Sequence, residues 1–243
     1  MELIKVKNYE DMSRKAAEII AGLVREKPDC VLGLATGSTP VGTYKELIKM
    51  YEAGEADFSK VKTANLDEYV GLSGEDKRSY RYFMNDMLFD HINIDKKNTF
   101  IPDGLNRDEK GECERYEKIL KSLGDADLQI LGLGLNGHIG FNEPSDHFPK
   151  ATHCVRLERS TIDANKRFFS SEDEVPKEAY TMGIGTIMRS RKILLLVSGE
   201  GKADILSRVL SGKVTPAVPA SILQFHPNVT VIADEAALKL SEL

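Results

Sequence analysis

The 243-residue chain is 41% hydrophobic and 29% charged with a formal net charge of −5, the composition of a globular protein able to bury a sizeable core. The mildly acidic balance and the lack of a basic block argue against nucleic acid, and the notable apolar run at 193–197 is too short to span a bilayer. Cys30, Cys113 and Cys154 are widely spaced without a CxxC, so they read as free thiols in a reducing compartment, not as a disulfide framework or a zinc site.

The segment from Met1 to Asp11 is charged and lacks the apolar stretch of a secretory signal, so the expected location is cytoplasmic. Residues 3–6 read as a strand. A helix is expected over 9–25, where Met12, Ala16, Ile19, Ile20 and Leu23 recur near the helical period, and Pro28 ends it. Then come a strand at 30–35, a helix at 41–51, a strand at 61–66 and helices at 80–89 and 110–123. A buried strand at 128–133, a strand at 152–157 and a helix at 161–169 follow. The chain continues with a strand at 192–197, a helix at 202–210, a strand at 229–233 and a closing helix at 235–240. This alternation implies an α/β fold, an open, mostly parallel sheet with helices on both faces. No linker divides the chain, so a single domain is expected over 1–243. Residues 142–182, with Pro144, Pro149 and Pro176, read as a mobile cap over the sheet edge.

Ligands of open α/β sheets bind outside the carboxyl ends of the strands. Four polar segments follow expected strands and so share that edge: Thr36–Pro40, Asp67–Tyr69, Gly132–His138 and Ser198–Lys202. In the first, Gly37 allows close backbone approach and Thr39 is placed to cap a helix starting at Pro40, which would aim backbone N–H groups at an anion. The spacing from Gly37 to Gly42 imitates a nucleotide loop, but Thr43 stands where its lysine belongs. The third segment matches GxGxxG, yet Gly140 and Pro144 follow at once. No dinucleotide helix is expected there.

His138 and Glu143 are five residues apart. A carboxylate beside a histidine orients the ring and suits it to proton transfer near neutral pH. Zinc held by His138, Glu143 and His147 is disfavoured, because neither HExxH nor Cys/His ligand spacing occurs. Asp67 precedes Glu68 in extended chain, so only one of the two side chains enters the cleft. Lys202 and Arg167 are the cations available for an anionic ligand.

Four segments, Ala35–Pro40, Leu66–Gly71, Asn136–Pro144 and Asn165–Phe169, resemble in order the signature segments of the glucosamine-6-phosphate deaminase family. The resemblance implies a modified Rossmann-like fold with no metal and no organic cofactor. It implies that His138 is the ring-opening acid/base, with Glu143 and Asn136 beside it, and that Asp67 is the enolisation base. Some members have Asp where this chain has Asn136, which leaves the His138 charge leaning more on Glu143. The substrate phosphate would sit on Gly37, Ser38 and Thr39, with Arg167 and Lys202 closing on it. The implied reaction converts glucosamine 6-phosphate and water to fructose 6-phosphate and ammonia. A phosphosugar is thus the expected partner; neither nucleic acid nor membrane is, and monomer and homo-oligomer both stay open.

Two other readings compete. A 6-phosphogluconolactonase resembles the same fold, but Asp67-Glu68-Tyr69 and Phe141-Asn142-Glu143-Pro144 favour the deaminase. A sugar-phosphate-sensing regulator should carry a helix-turn-helix and a basic face, and neither is read here. Regulated hexameric deaminases carry an Arg and a Lys two residues apart after the Asn-Glu-Pro motif. In this chain His153 and Val155 occupy those positions, so no allosteric phosphosugar activation is expected.

Overall fold

The computed structural model describes residues 1–157 and 175–241. In chain order its strands and helices are β1 (Glu2–Val6), α1 (Tyr9–Glu26), β2 (Val31–Leu34), α2 (Val41–Glu52), β3 (Lys62–Asn65), β4 (Asp67–Tyr69), α3 (Tyr80–Met87), β5 (Thr99–Phe100), α4 (Glu109–Leu123), β6 (Leu128–Gly132), β7 (His153–Arg156), β8 (Glu178–Thr181), α5 (Ile184–Ile187), β9 (Ile193–Val197), α6 (Ala203–Leu210) and β10 (Val229–Asp234). Short 3-10 turns include Glu200–Lys202 and Pro219–Phe225. Among these residues no helix is long and apolar enough to cross a membrane.

Seven strands form one parallel sheet in the order β1-β10-β9-β6-β2-β3-β5. Successive side chains of a strand face opposite ways, and the central strands are apolar on both sides. Leu194 and Leu196 enter one core with Met12, Ile20 and Leu47 of α1 and α2. Ile193, Leu195 and Val197 enter a second core with Tyr116, Ile187 and Leu206 of α4, α5 and α6. Each such Leu or Ile contributes about 1.5–3 kcal/mol by its burial. Helix ends match the sequence chemistry: Asn8 accepts from the Asp11 N–H at 2.9 Å to start α1, and Asp108 accepts from Gly111 at 3.0 Å to start α4. Gly124, at φ 81°, closes α4 in the left-handed conformation.

The chain moves from β2 outward to β3 and β5, then returns to the other side of β2 as β6. The crevice above β2 and β6 is therefore the topological switch point.

A second, antiparallel sheet of order β4-β8-β7 was not expected. Within 142–182 the described residues give it two strands, β7 and β8. Asp67, expected in the polar segment after the strand at 61–66, instead opens a strand of its own, β4, and pairs with Thr181. The expected helix at 161–169 lies outside the described residues. The expected helix at 235–240 is a succession of turns. The Asp234 carboxylate accepts from the Ala237 N–H at 2.8 Å, and the backbone bonds that follow, Leu238 to Asp234, Lys239 to Ala236 and Ser241 to Leu238, do not repeat as a helical ladder.

Candidate active site

The loops after β2 and β6 meet at the switch point: a Cβ on Gly132 would stand 3.6 Å from Thr39 Oγ1. Thr39 does not cap α2. Pro40 already has helical angles (φ −82°, ψ −6°) and serves as the N-cap position without a side-chain bond. Tyr9 does the work from α1, accepting from the Gly42 N–H at 2.8 Å and donating to the Ser38 carbonyl at 3.0 Å. Gly37 takes φ 86°, a conformation open to glycine at little cost, with no atom within 4 Å of where its Cβ would be. Gly37, Ser38 and Thr39 thus form an open turn facing β6.

After β6 no helix begins, in accord with the rejection of a dinucleotide loop. Gly137 (φ 90°) and Gly140 (φ 58°) fold the segment into tight turns. Asn136 Nδ2 donates to Glu143 Oε2 at 2.6 Å, and Asn136 Oδ1 accepts from the His138 N–H at 3.2 Å. His138 Nδ1 lies 3.3 Å from the same Glu143 oxygen, at ion-pair distance though outside hydrogen-bond alignment. The three residues read together in the sequence are therefore together in space. His147 is engaged elsewhere, with Asp146 at 2.6 Å. Among the described residues, the group of donors close enough to share a metal is Glu109, Cys154 and Glu178, which contains none of these residues.

The alternation expected at Asp67-Glu68 is present. Glu68 turns to the N-terminus of α3 and accepts from the backbone N–H groups of Tyr69, Tyr80 and Arg81 at 2.8–2.9 Å. Asp67 turns the other way: a Cβ on Gly140 would be 3.7 Å from its Oδ2. Both carboxylates are buried, at 6% and 2% exposure. Burial, then the Glu68 charge, pushes the Asp67 carboxyl up to about 8. Burial also raises Glu68, to about 7, against the pull of its three N–H donors and Arg81. Those donors favour the ionised form of Glu68, whereas burial and the Glu68 charge both oppose ionisation of Asp67.

Lys202, in the turn before α6, donates to the Leu133 carbonyl at 2.6 Å, and burial lowers its pKa. This places an ammonium group at the end of β6. Arg167 lies outside the described residues.

Several supporting residues had no role in the sequence reading. Asn142 ties the histidine loop to the second sheet, donating to the carbonyls of Ile139 and Met182 at 2.9 and 2.8 Å. Thr181 accepts from the Phe141 N–H at 3.0 Å. Tyr80 donates to the Tyr69 hydroxyl at 3.1 Å and stacks near Phe141. Only the run Phe141-Asn142-Glu143-Pro144 signalled any of these; the others depend on pairings distant in sequence.

Fold and crevice together define an α/β enzyme of the switch-point type, with acid–base side chains and no dinucleotide helix. The profile of the family described as glucosamine-6-phosphate isomerases/6-phosphogluconolactonase matches residues 6–232. The chain is 56% identical over 240 residues to a glucosamine-6-phosphate deaminase of Clostridium perfringens, covering 99% of both chains. It is 54% identical over 240 residues to the corresponding enzyme of Thermoanaerobacter pseudethanolicus, covering 99% of this chain and 95% of that one. A solved structure described as a monomeric glucosamine-6-phosphate deaminase superposes with a TM-score of 0.96 at 49% identity, covering 99% of this chain and 100% of the other. A 6-phosphogluconolactonase from Thermotoga maritima shares the fold, with a TM-score of 0.74 at 20% identity over 96% of this chain and 99% of that one. The chain belongs to the glucosamine-6-phosphate isomerase/6-phosphogluconolactonase family.

Proposed function

We propose that the protein is a glucosamine-6-phosphate deaminase, converting glucosamine 6-phosphate and water to fructose 6-phosphate and ammonia in the cytoplasm. The observation that carries this reading is the convergence on one crevice of the Asn136–His138–Glu143 cluster, of Asp67 facing Gly140, and of Lys202 on the Leu133 carbonyl. His138 moves a proton between the anomeric hydroxyl and the ring oxygen to open the pyranose, with the Glu143 carboxylate 3.3 Å from its Nδ1. Asn136 cannot ionise, so it orients Glu143 without adding charge. Asp67 then transfers the C2 proton to C1, which leaves an imine at C2; water adds to that carbon and ammonia departs from it, giving the ketose. The phosphate takes no part in these steps; its binding energy positions the sugar for them.

The anion site consists of the open turn Gly37–Ser38–Thr39 with Lys202, and Arg167 joins it by family resemblance. Lys202→Ala should weaken binding of the phosphosugar by about 1.5–3 kcal/mol, the usual loss for one charge-assisted contact. Unphosphorylated glucosamine should be a very poor substrate. If it reacted nearly as well as the 6-phosphate, the anion site would be wrongly assigned. The activity itself is tested by measuring ammonia and fructose 6-phosphate together: equal release supports the reading, and lactone hydrolysis without ammonia overturns it.

Activation by N-acetylglucosamine 6-phosphate should be absent. Burial lowers the His153 pKa from its ordinary value and outweighs the Ala151 carbonyl, 3.1 Å from Nδ1, which favours the charged ring, so the neutral form is favoured. Val155 packs against the cluster of Tyr69 and Phe141. Neither offers the charge that a second phosphate dianion needs. Substrate saturation should be hyperbolic with or without that ligand. A sigmoidal curve made hyperbolic by it, with coupling of the usual ~1–3 kcal/mol, would refute this.

A further inference from the structure

We propose that Asp234 is a positioning residue for substrate phosphate: it fixes the turn that delivers Lys202. The inference rests on the phosphate site proposed above and adds a residue to it that does not touch the substrate. Asp234 ends β10 beside the end of β9, where Ala233 pairs with Val197. It is 4% exposed. Its carboxylate is saturated by groups of the two neighbouring turns. The Ser198 hydroxyl donates to Oδ2 at 2.5 Å, the Gly199 N–H reaches both oxygens at 3.1 Å, and the Ala237 N–H donates to Oδ1 at 2.8 Å.

The consequence runs along the chain to Lys202. Gly199 adopts φ 94° and is the N-cap position of the turn Glu200–Lys202. Its carbonyl accepts from the Lys202 N–H at 3.0 Å. The Lys202 ammonium then reaches the Leu133 carbonyl at 2.6 Å. Thus Asp234 holds the Gly199 amide, Gly199 holds the Lys202 amide, and the Lys202 side chain stands at the mouth of β6. Without a carboxylate behind it, a left-handed glycine followed by Glu200 and Gly201 has many conformations to sample. Gly201 has no neighbour within 4 Å of its Cβ position to restrain it. A lysine swinging on such a turn binds a phosphate less tightly, because the ordering must then be supplied on binding.

The role predicts a selective kinetic signature. Asp234→Ala should raise KM for glucosamine 6-phosphate about tenfold with kcat changed by less than about twofold. The inhibition constant of inorganic phosphate should rise in parallel. Asp234→Asn retains one acceptor and can turn its amide toward Ser198, so it should restore part of the loss. Ser198→Ala removes one of the bonds and should give a smaller rise of the same kind, which keeps the test open if Asp234→Ala fails to fold. In the Lys202→Ala background, Asp234→Asn should add little, since the group it positions is gone. A purely structural role would instead lower kcat or thermal stability and leave the phosphate constant alone. Unchanged KM in Asp234→Asn and Ser198→Ala, or full additivity with Lys202→Ala, overturns the positioning role. If Lys202→Ala itself leaves KM and phosphate inhibition unchanged, the phosphate reading fails and the positioning role falls with it. If Lys202→Ala weakens phosphate binding but the Asp234 variants do not, the positioning role alone fails.

Discussion

Asp67→Asn should lower turnover by roughly 10²–10⁴-fold, the usual contribution of a positioned general base, while KM stays within a few fold. At about 1.36 kcal/mol per tenfold this is ~3–5 kcal/mol of transition-state stabilisation. Asn has nearly the shape of Asp and carries no charge, so it should fit the buried position at 6% exposure without unfolding the crevice. Exchange of solvent deuterium into C2 should vanish along with turnover. A folded Asp67→Asn protein that turns over like the wild type would remove Asp67 from the mechanism.

The same residue sets the expected pH dependence. A base works in its ionised form, and burial followed by the Glu68 charge raises the Asp67 carboxyl to about 8. Below that value the free enzyme holds Asp67 mostly protonated, so kcat/KM should climb through the neutral range, reach half its limit near 8 and level off about a pH unit above that. An unperturbed carboxylate, near ~3.9, would give a flat profile across the neutral range. The substrate amine also titrates, so the diagnostic comparison is Glu68→Gln. Removing that neighbouring charge should move the acidic limb to lower pH. A limb that stays in place would assign it to another group.

The sequence carried the main sheet because strand and helix periods are local properties. Ile193–Val197 is apolar at every position, as a strand buried on both faces requires. Of the second sheet only β7 was legible, as the strand expected at 152–157; β4 and β8 have three and four residues, and β4 begins with Asp67-Glu68. Its register joins Asp67 to Thr181, and no local pattern announces that pairing. The site shows the same division. Asn136, His138 and Glu143 lie within one loop; the spacing of His138 and Glu143 already suggested a pair, and the family resemblance added Asn136. The support from Tyr9 to Ser38 and Gly42, and from Asp234 to Ser198 and Gly199, crosses between elements and appears only in three dimensions. Thr39 was misread because Pro40 was taken as the first helical residue, when it already occupies the N-cap position.

Gly134→Ala should cost about 10²-fold in kcat without removing any catalytic atom, the scale of loss expected from a displacement of about 1 Å. A Cβ at Gly134 would lie 2.4–2.5 Å from Cε1, Nε2 and Cδ2 of His138. No rotation of a methyl group relieves such an overlap, so the ring has to move away from Glu143. Gly134 does not have positive φ among the glycines of the chain, so alanine strains the backbone little and the effect reports on the ring. His138 has solvent to move into, its side chain being 23% exposed, and the protein should therefore remain folded. Gly22→Ala is the matched control: it lies in α1 with its nearest neighbour 4.0 Å from the Cβ position. That change should leave kcat alone and stabilise the helix by about 0.5–1 kcal/mol. In a His138→Ala background the Gly134→Ala change should have almost no further effect, because the obstructed ring is absent. Wild-type turnover in Gly134→Ala would show that His138 does not work from the position described. A further large loss on top of His138→Ala would instead show that the loop backbone, and not the ring, is what the alanine disturbs.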